Sequence, residues 1–230
     1  MTDLGPRHFV DEYRTHVAAI QSQFDHDQAM AIAVGGSGGD FRAIGDEELR
    51  LLVHFGLSAG HSIVDVGCGS GRLALALTEE FGDDLDYVGT DVVEELLAYA
   101  RTVADPSYRF ELNTDLTIPA PDASCDFIVY FSVVTHLLHE ESFRYLRDAV
   151  RALKPDGKLV VTFLESARHW NIFQRVVDIY DAPGPREPLV MFIERPMLEV
   201  WAEKLGLEIE QVLSFDPPSQ SVAVLRHREK

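Results

Sequence analysis

Between Ile63 and Ala74 the chain reads Ile-Val-Asp-Val-Gly-Cys-Gly-Ser-Gly-Arg-Leu-Ala, and no other stretch limits the possible folds as much. Ile63, Val64 and Val66 have the apolar, β-branched character of a buried strand, while Leu73, Leu77 and Phe81 recur at helical spacing. A glycine loop therefore joins strand to helix. Gly67, Gly69 and Gly71 carry no Cβ and tolerate positive φ, so the backbone turns tightly against a ligand and the first N–H groups of the helix face it. This is the geometry of a nucleotide-type site. A Gly-x-Gly alone also makes ordinary turns, so two nearby acids carry the argument further. Asp91 closes a second apolar run, Tyr87-Val88-Gly89-Thr90, where a first α/β unit delivers a carboxylate to ribose hydroxyls. Asp65, beside the glycine loop, repels a dinucleotide pyrophosphate but favours a ligand with a free ammonium group. Arg72 stands where the dinucleotide fingerprint expects Gly or Ala.

The series Asp65-Val66-Gly67-Cys68-Gly69-Ser70-Gly71, then Gly89-Thr90-Asp91, then Asp115, then Leu153-Lys154-Pro155-Asp156-Gly157 resembles the signature series of the class I S-adenosylmethionine-dependent methyltransferases, over residues 45 to 226. The resemblance implies an α/β, Rossmann-like fold: a seven-stranded, mostly parallel sheet with one antiparallel strand, helices on both faces and an N-terminal helical extension. It also implies S-adenosylmethionine lying across the strand carboxyl ends, with S-adenosylhomocysteine as product. On this resemblance the cofactor meets Asp65, Gly67, Cys68, Gly69 and Gly71 in the first loop, and Asp91 and Val92 at the ribose. Asp115 and Leu116 would meet the adenine, Phe131 and Ser132 follow the fourth strand, and Arg42 would pair with the methionine carboxylate.

At 230 residues the chain suffices for one α/β domain with a full core. A net charge of −18 argues against nucleic acid and against an anionic membrane surface, both of which call for clustered Lys and Arg. The two cysteines, Cys68 and Cys125, form neither a disulfide framework nor a metal cluster. No apolar run approaches the length of a membrane span, and Met-Thr-Asp-Leu-Gly-Pro lacks the pattern of a secretory leader, so a cytoplasmic protein is expected. The sequence leaves the oligomeric state open.

Taken in order, Phe9, Tyr13, Val17, Ile20 and Phe24 predict one helix over residues 7 to 32, either a packing helix or a lid. Gly35, Gly36, Gly38 and Gly39 then read as a hinge, so residues 1–45 form an N-terminal unit and 46–230 the cofactor-binding domain. Asp46 reads as the N-cap of a short helix with Glu47 and Glu48 in its first turn, which leaves Phe41 to Gly45 as loop. Further strands are expected at Tyr108–Leu112, Asp126–Phe131 and Lys158–Phe163, with helices at 94–103, 140–153, 165–180 and 196–205. Lys154 to Gly157 reads as a turn, and Glu208–Phe215 with Ser221–Arg226 as an antiparallel terminal pair.

Methyl transfer requires a nucleophile held in line at near-attack distance, and a hydroxyl acceptor must also lose its proton. Candidate bases on loops beyond the strand ends are His136, His139, Glu165 and His169. His136 is the best placed, one turn beyond the fourth strand, and its alternative role is packing beside the cofactor. His136-x-x-His139 with Glu140 lacks an assured third ligand, so no metal is expected. The resulting expectation is an enzyme that methylates a small molecule or sugar. A nicotinamide oxidoreductase and a catalytically silent cofactor-binding module are the alternatives.

Overall fold

The computed structural model describes residues 7–34, 40–181, 188–215 and 220–228. Runs rich in β-branched and aromatic residues form β1 (Ser62–Val66), β2 (Asp86–Asp91), β3 (Arg109–Leu112), β4 (Cys125–Tyr130), β5 (Leu153–Phe163), β6 (Leu207–Phe215) and β7 (Gln220–His227). Among the described residues they make one seven-stranded sheet, ordered β3-β2-β1-β4-β5-β7-β6. β7 runs antiparallel to both β5 and β6, so one reversed strand lies in an otherwise parallel sheet, as expected. The strand order reverses beside β1, which pairs with β2 on one side and β4 on the other. Such a switch point opens a crevice at the strand carboxyl ends.

The helices are α1 (His8–Gln21), α2 (His26–Ala33), α3 (Asp40–His54), α4 (Arg72–Phe81), α5 (Glu94–Val103), α6 (His139–Ala152), α7 (Trp170–Asp181) and α8 (Arg195–Leu205). One core layer packs Leu52, Leu73, Leu77 and Leu97 of α3, α4 and α5 against Ile63, Phe127 and Val129. The opposite layer packs Tyr145, Leu146 and Ala149 of α6 and Leu198 of α8 against Val64, Ile128 and Val161. β1 and β4 thus bury both faces, which is why they read as nearly continuous apolar runs.

Three local expectations need correction. The first helix is two helices, because Asp25 leaves helical geometry and its carboxylate caps α2 by accepting from Gln28 N–H at 3.0 Å. Phe9, Val17 and Ile20 of its apolar stripe are buried, whereas Phe24, beyond the break, is 44% exposed. The expected glycine hinge at 35–39 lies outside the described residues. Next, Asp46 is not an N-cap: α3 already runs from Asp40, so Phe41 to Gly45 is helix rather than loop. Finally, Lys154 to Gly157 is not a turn between elements but a bulge inside β5, whose pairing with β4 jumps from Cys125↔Leu153 to Phe127↔Lys158. Lys154 Nζ is held there by Asp126 at 2.7 Å.

Gly45 shows what the packing of α3 on α4 requires. A Cβ at this position would run into the backbone carbonyl of Arg72, so the glycine marks a close helix approach, not a helix boundary. In an open helix Gly→Ala is worth about 0.5–1 kcal/mol of stability, but overpacking against backbone costs about 1–3 kcal/mol. Gly45→Ala is therefore expected to lower the urea midpoint. A raised midpoint would show that the approach is slack.

Candidate functional site

The cradle is built from the glycine loop between β1 and α4. Gly67, Gly69 and Gly71 have φ of 67°, 56° and 87°, the left-handed region closed to most residues. At Gly69 the reason is double, since a Cβ would also strike Val34 at the end of α2. Asp91 fixes this loop from the neighbouring strand. Its carboxylate accepts from Gly69 N–H and Val93 N–H, each at 2.9 Å, while Cys68 N–H donates to Thr90 C=O.

Two connected chambers open at this point. The larger, about 420 Å³, is lined by Asp65, Gly67, Cys68, Gly69, Asp91, Phe131 and Ser132, and across from them by Tyr13, Thr135, His136 and Ile172. The smaller, about 90 Å³, is lined by Phe9, Thr90, Val92, Asn113, Asp115 and Leu116. Tyr13, Gly67, Asp91, Ser132 and His136 border both and form the waist. Ser132 has a positive φ of 60°, an uncommon conformation for a non-glycine residue, and its N–H donates to Thr162 Oγ1 at 2.7 Å. Gly71 alone of the expected loop residues is off the wall: it begins α4 and packs against Ala100.

Arg42 lies elsewhere. Its guanidinium pairs with Glu79 at 2.6 Å on the surface, with 63% of the side chain exposed, because α3 starts early and turns that face outward. The buried arginine at the cavity is Arg72. It pairs with Glu48 at 2.6 Å, both side chains almost inaccessible, and donates to Val34 C=O at 2.5 Å. Glu48 Oε2 has no partner. Asp65 lies in the same wall and accepts from Tyr87 Oη at 2.8 Å.

This deep end is short of positive charge. Burial, reinforced by the negative charge of Glu48, pushes Asp65 up to about 8, against the opposing pull of Tyr87 and Arg72. Burial also raises Asp91 to about 6, countered by the N–H groups of Val93 and Gly69. The Cys68 thiol is pushed far up by burial and by Asp65, so it stays protonated as a small wall residue.

The four candidate bases separate cleanly. His136 donates from Nδ1 to Leu189 C=O at 2.7 Å, which leaves Nε2 unprotonated in the neutral ring of a residue that lines the cavity. Burial, then the nearby His16, lowers its pKa; the bond to Leu189 and the charge of Glu12 oppose this. His139 instead bonds Phe192 C=O at 2.9 Å and packs on Trp201. Glu165 is buried among Ser221, Arg195 and Arg168. His169 closes the turn before α7 on the backbone of Glu165. Among the described residues, no three His, Cys, Asp or Glu side chains are placed to hold a metal ion.

The segment 188–193 acts as a strap over these elements. Besides the His136 and His139 bonds, Met191 N–H donates to Thr135 C=O at 2.7 Å and Ile193 N–H to Leu164 C=O at 2.8 Å. α1 closes the roof: Glu12 accepts from Leu189 N–H at 3.1 Å, His8 meets Glu141 at 3.0 Å, and Arg7 pairs with Asp115 at 2.8 Å.

A family model described as a methyltransferase domain matches residues 63–157, from β1 through the β5 bulge, and so takes in the whole glycine cradle. Over these residues the chain is similar to methyltransferase domains, and S-adenosylmethionine-dependent methyltransferases are among its relatives. In sequence this methyltransferase is 26% identical over 184 residues to the ubiquinone/menaquinone biosynthesis C-methyltransferase UbiE of Cupriavidus necator, across 70% of this chain and 73% of that one. It is 28% identical over 117 residues to 27-O-demethylrifamycin SV methyltransferase of Amycolatopsis mediterranei, across 49% of this chain but only 42% of that protein. In structure the methyltransferase is similar to magnesium protoporphyrin IX methyltransferase (ChlM) of Synechocystis, solved with S-adenosylmethionine bound. The TM-score is 0.66 at 13% identity, over 95% of this chain and 94% of that one.

Sequence reasoning missed Tyr13, Glu48, Thr135 and Gln220 as wall residues of the methyltransferase. It met Arg72 only as a departure from the dinucleotide fingerprint. No local signal ties Glu48 to Arg72, since α3 and α4 must pack before the pair exists.

Asp65 provides a pH test. In the cofactor-free protein it holds its proton to about pH 8, whereas the unfolded chain releases it near the ordinary 3.8, so the native state binds more protons in between and stability falls as pH rises through that window. Asp65→Asn should flatten this slope in denaturant titrations run at stepped pH. Parallel profiles for the two proteins would contradict the charge deficit.

Proposed function

We propose that this methyltransferase transfers the cofactor's methyl group to a small organic molecule or a sugar held in the larger chamber. The observation that carries this reading is the lining of that chamber: Tyr13 and His16 of α1, Ile172 and Arg175 of α7 and Pro188 and Val190 of the strap border a volume of about 420 Å³, which must also admit the amino-acid end of the cofactor. A macromolecular acceptor has little room there. The net charge of −18 also disfavours nucleic acid and anionic membrane partners, and a cytoplasmic setting accords with the two unpaired cysteines. The relatives named above are quinone, rifamycin and porphyrin methyltransferases, enzymes of small-molecule chemistry.

The residues present fit the cofactor. In this reading Asp91 at the waist receives the ribose hydroxyls, and Val92, Asp115 and Leu116 border the adenine in the smaller chamber. Gly67, Gly69 and Cys68 lie along the middle, with Phe131 and Ser132 opposite. The amino-acid end points to the deep wall, where Glu48 Oε2 lacks a hydrogen-bond partner and Asp65 lacks a cation, and an ammonium group supplies both. Arg72, not Arg42, is the guanidinium near the carboxylate. The cofactor supplies an electrophilic methyl group; the chain's own residues orient the two molecules, exclude water and manage the acceptor's proton. Orientation of this kind is worth roughly 7–11 kcal/mol of barrier.

Calorimetric titration tests the assignment. S-adenosylhomocysteine should bind, and NAD should not. Asp91→Ala removes charge-assisted bonds of about 1.5–3 kcal/mol, a loss of roughly one to two decades in affinity, whereas Arg42→Ala should leave affinity unchanged. NAD binding without a response to S-adenosylhomocysteine would refute the reading.

A further inference from the structure

His136 is anchored in a way that packing alone does not require. Its Nδ1–H is committed to Leu189 C=O at 2.7 Å, the edge of the Tyr13 ring lies against it with centroids 5.1 Å apart, and Leu189 is itself pinned by Glu12 of α1. The tautomer is thereby fixed with a lone pair on Nε2, at the waist where both chambers meet. Ile172, Val190 and Leu164 give the larger chamber an apolar wall, while Thr135 Oγ1 and Gln220 Oε1, from residues lining the same chamber, have no hydrogen-bond partner. An apolar surface suited to a ring, two oxygens wanting a polar partner and one oriented base occur together here.

Resting on the methyl-transfer reading, we propose that the acceptor is a phenolic hydroxyl and that His136 removes its proton through Nε2 as the oxygen is methylated. The acceptor oxygen forms the new C–O bond, the C–S electron pair returns to sulfur, and the hydroxyl proton passes to Nε2 and then to solvent. A neutral amine attacks before it loses a proton, whereas a hydroxyl needs its proton taken as the new bond forms. An aliphatic hydroxyl is far less acidic than a phenol, whose pKa is about 10. His16 and Glu12 of α1 face the imidazole with opposite effects on its charge, and Asp91 and Arg175 line the same chamber. Burial outweighs these charges and keeps the ring neutral at pH 7.

The test uses the full chain and His136→Asn, whose amide can still donate to Leu189 but is not basic. Imidazole nitrogen NMR of the cofactor-free wild type should show the Nδ1–H tautomer, titrating below the ordinary 6.5. Wild-type protein, given S-adenosylmethionine labelled with carbon-13 in its methyl group and a small-molecule extract of the cells that make it, should yield an aryl methyl ether by carbon NMR. His136→Asn should form that ether roughly 100- to 10,000-fold more slowly, lose the acid limb of the rate profile, and bind S-adenosylhomocysteine normally. Label on nitrogen, on carbon or on an aliphatic oxygen would overturn the inference while leaving methyl transfer standing. So would an Nε2–H tautomer, or an unimpaired rate in the variant. No labelled product at all, with cofactor binding intact, would refute methyl transfer to a small molecule and this inference with it.

Discussion

The site depends on one carboxylate making two backbone hydrogen bonds. Asp91 ends β2, and by taking Gly69 N–H and Val93 N–H at 2.9 Å it ties the glycine loop of one α/β unit to the start of the next. Hydrogen bonds to a charged acceptor are worth about 1.5–3 kcal/mol, more than a neutral pair. They also orient the carboxylate of a residue that borders both chambers at the waist. The left-handed glycines, the adjacent close approach of Val34 and the position of Ser132 across the gap all presuppose that anchor.

Electrostatics explains the polarity of the cavity. Glu48, Asp65 and Asp91 converge on it from three elements, and Arg72 neutralises only Glu48 among them. Burying such groups is costly unless they are paired. The cofactor-free protein responds by holding a proton on Asp65 up to about pH 8, while the N–H groups of Gly69 and Val93 limit the rise of Asp91 to about 6. A cationic ligand relieves that strain, whereas a pyrophosphate would worsen it. Asp65 beside the glycine loop is by itself unfavourable to a dinucleotide pyrophosphate.

The parallel core of the fold was legible because its signals are local: apolar runs of strand length, helical spacing after the glycine loop, and the Asp216-Pro217-Pro218 break before the reversed last strand. Errors arose where one residue type serves two purposes. Asp46 read as a helix N-cap, whereas α3 runs through it from Asp40 and Gly45 is a contact point between helices. Asp25 was hidden within an apolar periodicity that continues past it, although its carboxylate caps a new helix. Within the site, Asp91, Asp115 and His136 line the cavity from their places after strands, whereas Arg42 lies on the surface because α3 starts earlier than expected. Glu48, Thr135 and Gln220 become wall residues only through tertiary packing, and no spacing in the chain announces that.

The most direct measurement is a crystal structure of the protein with S-adenosylhomocysteine bound. The expected complex has the ribose on Asp91 at the waist, the adenine in the smaller chamber beside Leu116, and the ammonium group between Glu48 and Asp65 with Arg72 nearby. A ligand lying the other way round, or one whose amino-acid end reaches Arg42 on the surface, would contradict the electrostatic basis of the site.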